Sequence, residues 1–271
     1  MTDLGTLPQF PAQPELGSVY GNSQASGIND AGQVVGTSAA PFSPRPHAFL
    51  YTNGSMTDLG TLANQFGAFS SATGVNNGGQ VVGYSLLSNS NINIPSHAFL
   101  YSNGTMTDLG TLAGGTSTAM GINNAGQVVG FSSVTTNGLE HAFLYNNGTM
   151  SDLGTLAGGL ISHAYGINDS GQVVGYSATV GGTHAFVYHN GLLIDLNSLL
   201  DSSGTGWTLT RAAAINNNGQ IVGLGTNALG QTDAFLLTPV NPVPLPGAVW
   251  LFGSGLLMLL GWQMRAHSRH L

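Results

Sequence analysis

The chain has no cysteine, no lysine and little charge of either sign: Lys+Arg number 4, Asp+Glu number 11, and together they make 6% of 271 residues. An ordinary soluble domain carries about 25% charged residues, so a disordered polyelectrolyte is excluded. A nucleic-acid surface is excluded as well. Counterion release needs clustered Lys and Arg, and the only cations are Arg45, Arg211, Arg265 and Arg269. Without cysteine there are no disulfides, thiolate nucleophiles or Cys-ligated metal sites, and the redox compartment stays open. Gly (41) and Pro (11) are abundant, though below the roughly 25–30% of a low-complexity chain. Many tight turns are expected instead.

What is present is repetition, the first thing to look for because it decides the fold. The string GIN-x-x-GQVVG starts at Gly27, Gly74 (as GVN), Gly121 and Gly166, and returns as AIN with GQIVG at Ala214. HAFLY starts at His47, His97 and His141, becomes HAFVY at His184 and DAFLL at Asp233. DLGTL starts at Asp3, Asp58, Asp108 and Asp152, with DLNSL at Asp195. Each unit reads as four short strands rich in Val, Tyr, Phe and Thr, and no helical period is sustained. Asn53-Gly54, Asn103-Gly104, Asn147-Gly148 and Asn190-Gly191 join the third and fourth strands, because Asn-Gly suits a two-residue hairpin with φ > 0 at both positions.

Five units of this size match propeller blades, and the expected fold is all-β: a five-bladed β-propeller of four-stranded antiparallel blades over residues 1–240. An open solenoid or a sandwich of stacked hairpins is the alternative. The third strand is apolar on both faces, with Ala48 and Leu50 on one and Phe49 and Tyr51 on the other, as expected of a blade between two neighbours. Thr2–Leu7 reads as an isolated fourth strand and the last unit stops after its third, so the N-terminal strand is expected to close the ring and remove an edge.

A Pro-rich linker, 241–246, leads into 247–271. Gly247 to Trp262 is apolar apart from Ser254, and the uncharged run is long enough to span a bilayer as one helix. Trp250 and Trp262 sit where interfacial anchors belong. Arg265 and Arg269 follow, which places the C-terminus in the cytoplasm and the repeat domain outside.

The repeat resembles the bacterial extracellular HAF repeat family, named for the His-Ala-Phe at His47, His97, His141 and His184, and the match covers nearly all of residues 1–237. Val243 to Arg265 looks like a PEP-CTERM sorting signal, with Pro-Leu-Pro standing where the common form has Pro-Glu-Pro. The resemblance implies export by a Gram-negative bacterium, recognition of Val243, Pro244, Leu245 and Pro246 by an exosortase at the inner membrane, and delivery to the surface or biofilm matrix. Arg265 and Arg269 would be the cytoplasmic stop. Met1 opens MTDLGTL, a repeat string and not a signal peptide, so the true start is expected upstream.

Several residues are candidates for chemistry. With an Asn-Gly turn centre, His47 and Asp58 are diagonal neighbours on one face, as are His97 and Asp108, His141 and Asp152, and His184 and Asp195. A ring of metal ligands is one reading; identical copies favour a hydrogen bond that ties strands within each blade. In the fifth copy Asp233 replaces His and is expected near Asp3. Turns such as Asn168-Asp169-Ser170-Gly171 could be calcium loops, but the other copies carry Asn77, Asn124 or Asn217, which turn chemistry explains. Outside the repeat consensus stand Glu15, Glu140, His163, His189, Asp201, Trp207 and Arg211, without a nucleophile-elbow, P-loop or paired-carboxylate motif. No cofactor or metal is expected. The residues point to a non-enzymatic structural, adhesive or binding protein, with extracellular polysaccharide as the ligand class and the variable links Thr37–Pro46, Tyr84–Ser96, Phe131–Glu140 and Pro8–Gly17 as its face. The alternative is an extracytoplasmic enzyme acting on polysaccharide or peptide.

Overall fold

The computed structural model describes residues 1–7, 22–40, 43–88, 95–135, 138–239 and 264–266. They form five four-stranded antiparallel sheets. The first holds β1 (Ser23–Ile28), β2 (Val34–Ser38), β3 (His47–Thr52) and β4 (Ser55–Asp58). The second holds β5 (Ser70–Val75), β6 (Val81–Leu86), β7 (Ser96–Ser102) and β8 (Thr105–Asp108). The third holds β9 (Ser117–Ile122), β10 (Val128–Ser133), β11 (Glu140–Asn146) and β12 (Thr149–Gly154). The fourth holds β13 (Ser162–Ile167), β14 (Val173–Thr179), β15 (Gly182–His189) and β16 (Leu192–Asp195). Two 3₁₀ turns, Leu196–Leu199 and Ser202–Gly204, precede the fifth: β17 (Thr208–Ile215), β18 (Ile221–Thr226), β19 (Thr232–Pro239) and β20 (Met264–Ala266).

The first strands β1, β5, β9, β13 and β17 touch in sequence, and their C-terminal ends converge on one axial cavity of about 280 Å³. Local chemistry explains the unit. Asn53, Asn103, Asn147 and Asn190 sit at φ of 50–51°, each followed by a glycine at positive φ. Between the first and second strands of every sheet a β-bulge leaves a residue unpaired, Ser26, Thr73, Met120, Tyr165 and Ala213, and the fifth sheet has a second such shift at Thr210. The bulge presses a first-strand carbonyl against the last glycine of GQVVG. A Cβ at Gly36, Gly83, Gly130, Gly175 or Gly223 would overlap the carbonyl oxygen of Gln24, Ser71, Thr118, His163 or Arg211. That is why the motif holds glycine inside a strand.

The core is the same cluster repeated at four junctions. Val35, Ala48 and Leu59 of the first sheet pack on Ala72, Val81 and Phe99 of the second. The equivalents Val82, Ala98 and Leu109 meet Ala119, Val128 and Phe143, and so on through the fifth sheet. Buried serines pin each link: Ala98 N–H donates to Ser117 Oγ, which donates to the Gly110 carbonyl, while Leu112 N–H donates to Ser132 Oγ.

The expected closure by Thr2–Leu7 is corrected. β4, β8 and β16 end at the Asp of DLGTL or DLNSL and β12 runs two residues further, to Gly154; the residues after that are the link to the next sheet. In the N-terminal copy that link is seated on the first sheet, with Leu7 N–H on Ser38 Oγ and Ser23 Oγ donating to the Gly5 carbonyl. The fourth place of the fifth sheet is held by β20. The facing halves of a fifth junction are open: Val222 is 44% and Leu224 43% exposed, where Val35, Val82, Val129 and Val174 are all at 0%. Ala25 and Ala234 are exposed as well. The expected membrane helix, Gly247 to Trp262, lies outside the described residues, and of 247–271 only Met264–Ala266 is described, as strand. Among the described residues no helix is long and apolar enough to cross a membrane.

Candidate functional site

Two polar systems recur along the series, one in four units and one in all five, and one cluster breaks the recurrence. The first recurring system is the His–Asp pair. The observed register sets Phe49 opposite Asp58 and Phe99 opposite Asp108, so the His two residues earlier reaches the carboxylate diagonally. Nδ1 of His47, His97, His141 and His184 lies 2.7–2.9 Å from Asp58, Asp108, Asp152 and Asp195. The same carboxylates accept N–H donors two residues on, from Gly60, Gly110, Gly154 and Asn197. Each Asp thus fixes the third strand, the fourth strand and the start of the link. The expected meeting of Asp233 with Asp3 is corrected: Asp233 accepts from Asn227 Nδ2 at 2.8 Å, and Asp3 accepts from Gly5 N–H.

The second system explains the Asn and Gln of GIN-x-x-GQ, which turn chemistry alone did not. In the third unit Asn123 Oδ1 accepts from Gln127 N–H, and its Nδ2 donates both to Gln127 Oε1 and to the Asn168 carbonyl of the next sheet. The inter-sheet bond runs Asn29 to Asn76, Asn76 to Asn123, Asn123 to Asn168 and Asn168 to Asn216, at 2.8–3.2 Å. These residues line the axial cavity. Just outside them, Asp169 accepts from Asn124 N–H, Asn124 Nδ2 and Asn217 Nδ2. The Asn124 donors hold its carboxyl below the usual value. The recurrence of Asn and Gln at i and i+4 in five copies was the signal that an inter-sheet ladder existed.

The departure lies along the third, fourth and fifth sheets and gathers three of the seven non-consensus residues. His163, on β13, stacks on Phe131 of β10 with centroids 3.9 Å apart and planes at 9°. Its Nε2 is 3.0 Å from Glu140 Oε2 on β11, and its Nδ1 is 3.3 Å from the Tyr176 hydroxyl on β14. Arg211 of β17 places its guanidinium carbon 4.1 Å from the centroid of the Tyr165 ring, the bulge residue of β13. Tyr165 and Tyr176 stack at 6.0 Å. Burial pushes the His163 pKa down, against the pull of Glu140, and pushes both tyrosines up. At neutral pH the imidazole is therefore uncharged, able to donate from one nitrogen and accept at the other.

The remaining non-consensus residues do not join. Asp201 caps the second 3₁₀ turn, accepting from Ser203 N–H, Trp207 packs on the core of the fifth sheet, and His189 ends β15. Glu15, the sorting residues Val243, Pro244, Leu245 and Pro246, and Trp250, Trp262 and Arg269 lie outside the described residues; Arg265 lies in β20. The variable links are described only in part. Among the described residues no group of three or more His, Asp or Glu is placed to hold a metal ion.

No protein-family model matches the chain, and no curated protein matches it in sequence. Among solved structures it is similar to TolB from Acinetobacter baumannii, at 14% identity and a TM-score of 0.45, over 80% of this chain and 54% of TolB. A gluconolactonase from Xanthomonas campestris matches at 12% identity and a TM-score of 0.39, over 78% of this chain and 75% of its own. The Aleuria aurantia lectin, a six-bladed β-propeller with a fucose recognition mode, matches at 13% and 0.31, over 80% and 73%. The chain thus spans about half the length of TolB.

Proposed function

We propose that this is an exported, non-enzymatic binding and structural protein of a Gram-negative cell surface or biofilm matrix, whose repeat domain, residues 1–240, engages extracellular polysaccharide. In this reading the tail inserts in the inner membrane as a helix, with Trp250 and Trp262 at its interfaces and Arg265 and Arg269 in the cytoplasm. An exosortase recognises Val243 to Pro246. Met264–Ala266 leaves the edge of β19 when the tail is inserted.

The observation that carries the reading is the use to which recurring polar side chains are put. Four His–Asp pairs, five Asn–Gln clamps and the buried serines bond to one another and to the backbone, which is scaffold work. Groups left to meet a ligand are concentrated on the one non-repeating wall. Aromatic rings with a few fixed polar groups are what saccharide and other small-ligand sites are built from. Expression behind a signal peptide, in hosts with and without an exosortase, tests the sorting half. The expected product is surface-located and shortened near Val243 to Pro246 only when the exosortase is present; a full-length membrane protein in both hosts would overturn it. Glycan-array binding tests the other half, with no signal above a scrambled-loop control as the negative result.

A second reading, an extracytoplasmic enzyme on polysaccharide, draws on the Glu140–His163–Tyr176 chain, since a neutral imidazole between a carboxylate and a phenol has the makings of a general base. Turnover of a labelled saccharide that disappears in His163→Gln would favour it.

A further inference from the structure

The non-repeating wall can be read position by position, because the repeat supplies its own controls. One first-strand position in each sheet turns toward the preceding sheet, and one second-strand position turns toward the following sheet. At the junction of the first and second sheets these are Ser71 and Thr37, whose hydroxyls hydrogen-bond at 2.6 Å. Between the third and fourth they are His163 and Phe131, stacked. In the fifth sheet the equivalent of Ser71 and His163 is Arg211, whose carbonyl faces Gly223 as theirs face Gly83 and Gly175. It meets the bulge residue Tyr165, where the other sheets have Ser26, Thr73, Met120 and Ala213. The second-strand position is aromatic at three successive junctions, Tyr84, Phe131 and Tyr176; what sets the last two apart is the first-strand partner, His163 and then Arg211, where the earlier junctions have Ser71 and Thr118.

Arg211 is the informative member. It is exposed, and among the described residues no carboxylate lies within ion-pair distance of it. Glu140, in the same cluster, is held against His163. A guanidinium lying over a ring uses its face for the cation–π contact and keeps its in-plane N–H fork for a planar anion. The chain carries 11 acidic groups against 4 basic ones, so a cation left without an acidic neighbour stands out. Behind it, the Phe131–His163–Glu140 contacts tie the third sheet to the fourth and hold Tyr176 and Tyr165 in place.

We propose that Arg211, backed by Tyr165 and flanked by Tyr176, is an anion-reading subsite that selects a carboxylated saccharide, a uronic-acid unit. The guanidinium takes the carboxylate and the tyrosine hydroxyls and ring edges meet the sugar. The inference rests on the saccharide-binding reading above and narrows it to one chemical class.

Calorimetric titration of the full chain, in non-ionic detergent, with tetragalacturonate and with the neutral galactose tetrasaccharide tests it. The acidic oligosaccharide is expected to bind, the neutral one at least tenfold more weakly. Arg211→Gln should weaken tetragalacturonate at least tenfold with an unchanged circular dichroism spectrum. Equal binding of both sugars, or an acidic sugar bound equally by Arg211→Gln, overturns the subsite and leaves saccharide binding standing. Binding of neither sugar removes the subsite; glycan-array binding to other saccharides then decides the broader reading separately.

Discussion

The junction between the third and fourth sheets and the one that would join the fifth to the first are built from the same residues, yet they are in opposite states. Val129, Ala142, Ala164 and Val173 are all at 0% exposure, and Asn123 donates across to Asn168. At the ends of the series Val222 is 44% exposed, Asn216 is exposed, and so are Ala25 and Ala234. Residue type is thus insufficient to bury a side chain; the Val of GQVVG is core only when another sheet arrives. Fully burying such a side chain contributes roughly 1.5–3 kcal/mol, so the four closed junctions supply stability that the two end faces do not.

That contrast can be broken by paired substitutions. The largest effect is expected from Val129→Asp, which leaves a charge in an apolar junction; the cost is several kcal/mol, read as a fall in Tm or in the urea midpoint. Val222→Asp should change stability by about 0.5 kcal/mol or less. Equal losses would mean that the fifth sheet meets the first in solution. Next comes Gly130→Ala, where the new methyl would overlap the Thr118 carbonyl and force the bulge to shift, costing roughly 1–3 kcal/mol. Asn123→Ala removes the inter-sheet bond to the Asn168 carbonyl and leaves Gln127 N–H and Oε1 without their Asn123 partners, about 1–3 kcal/mol, and Asn216→Ala, with no onward bond to lose, should cost clearly less. His141→Ala is mild too: its partner Asp152 is 41% exposed, so the pair contributes about 0–1 kcal/mol.

A pH series adds one signature specific to the non-repeating wall. Burial lowers the His163 pKa in the folded chain, so below the ordinary value of 6.5 the unfolded chain binds more protons than the folded one. Stability then rises with pH through that window: it is complete above 6.5 and falls as pH drops toward the lowered folded value. His163→Gln should flatten this part of the profile, and a profile unchanged by the substitution would show that His163 does not set it.

Much of the unit was legible in the sequence because its determinants are local. Asn-Gly specifies the hairpin between third and fourth strands, and the hairpin register alone brings His47 toward Asp58. The four-stranded order followed from the spacing of three motifs. Closure was misread because DLGTL looked like one strand, whereas the strand ends at its Asp or within two residues of it and its final Leu is bonded to the next sheet through Ser38, Ser85, Ser132 and Ser177. That division depends on partners far away in sequence. Glu140, His163 and Arg211 were identified as departures from the repeat, but nothing local showed that they meet; their convergence needs three sheets and a bulge that turns Tyr165 toward the fifth.

The Asn ladder has a direction. Each of the first four units gives one amide hydrogen to the carbonyl of the unit after it, so among the described residues the first carbonyl and the last amide of the row have no inter-sheet partner. Such a row behaves as a one-dimensional lattice with a head and a tail. Units can be gained or lost by duplication without redesigning any contact, because every new unit inherits both halves of the same joint.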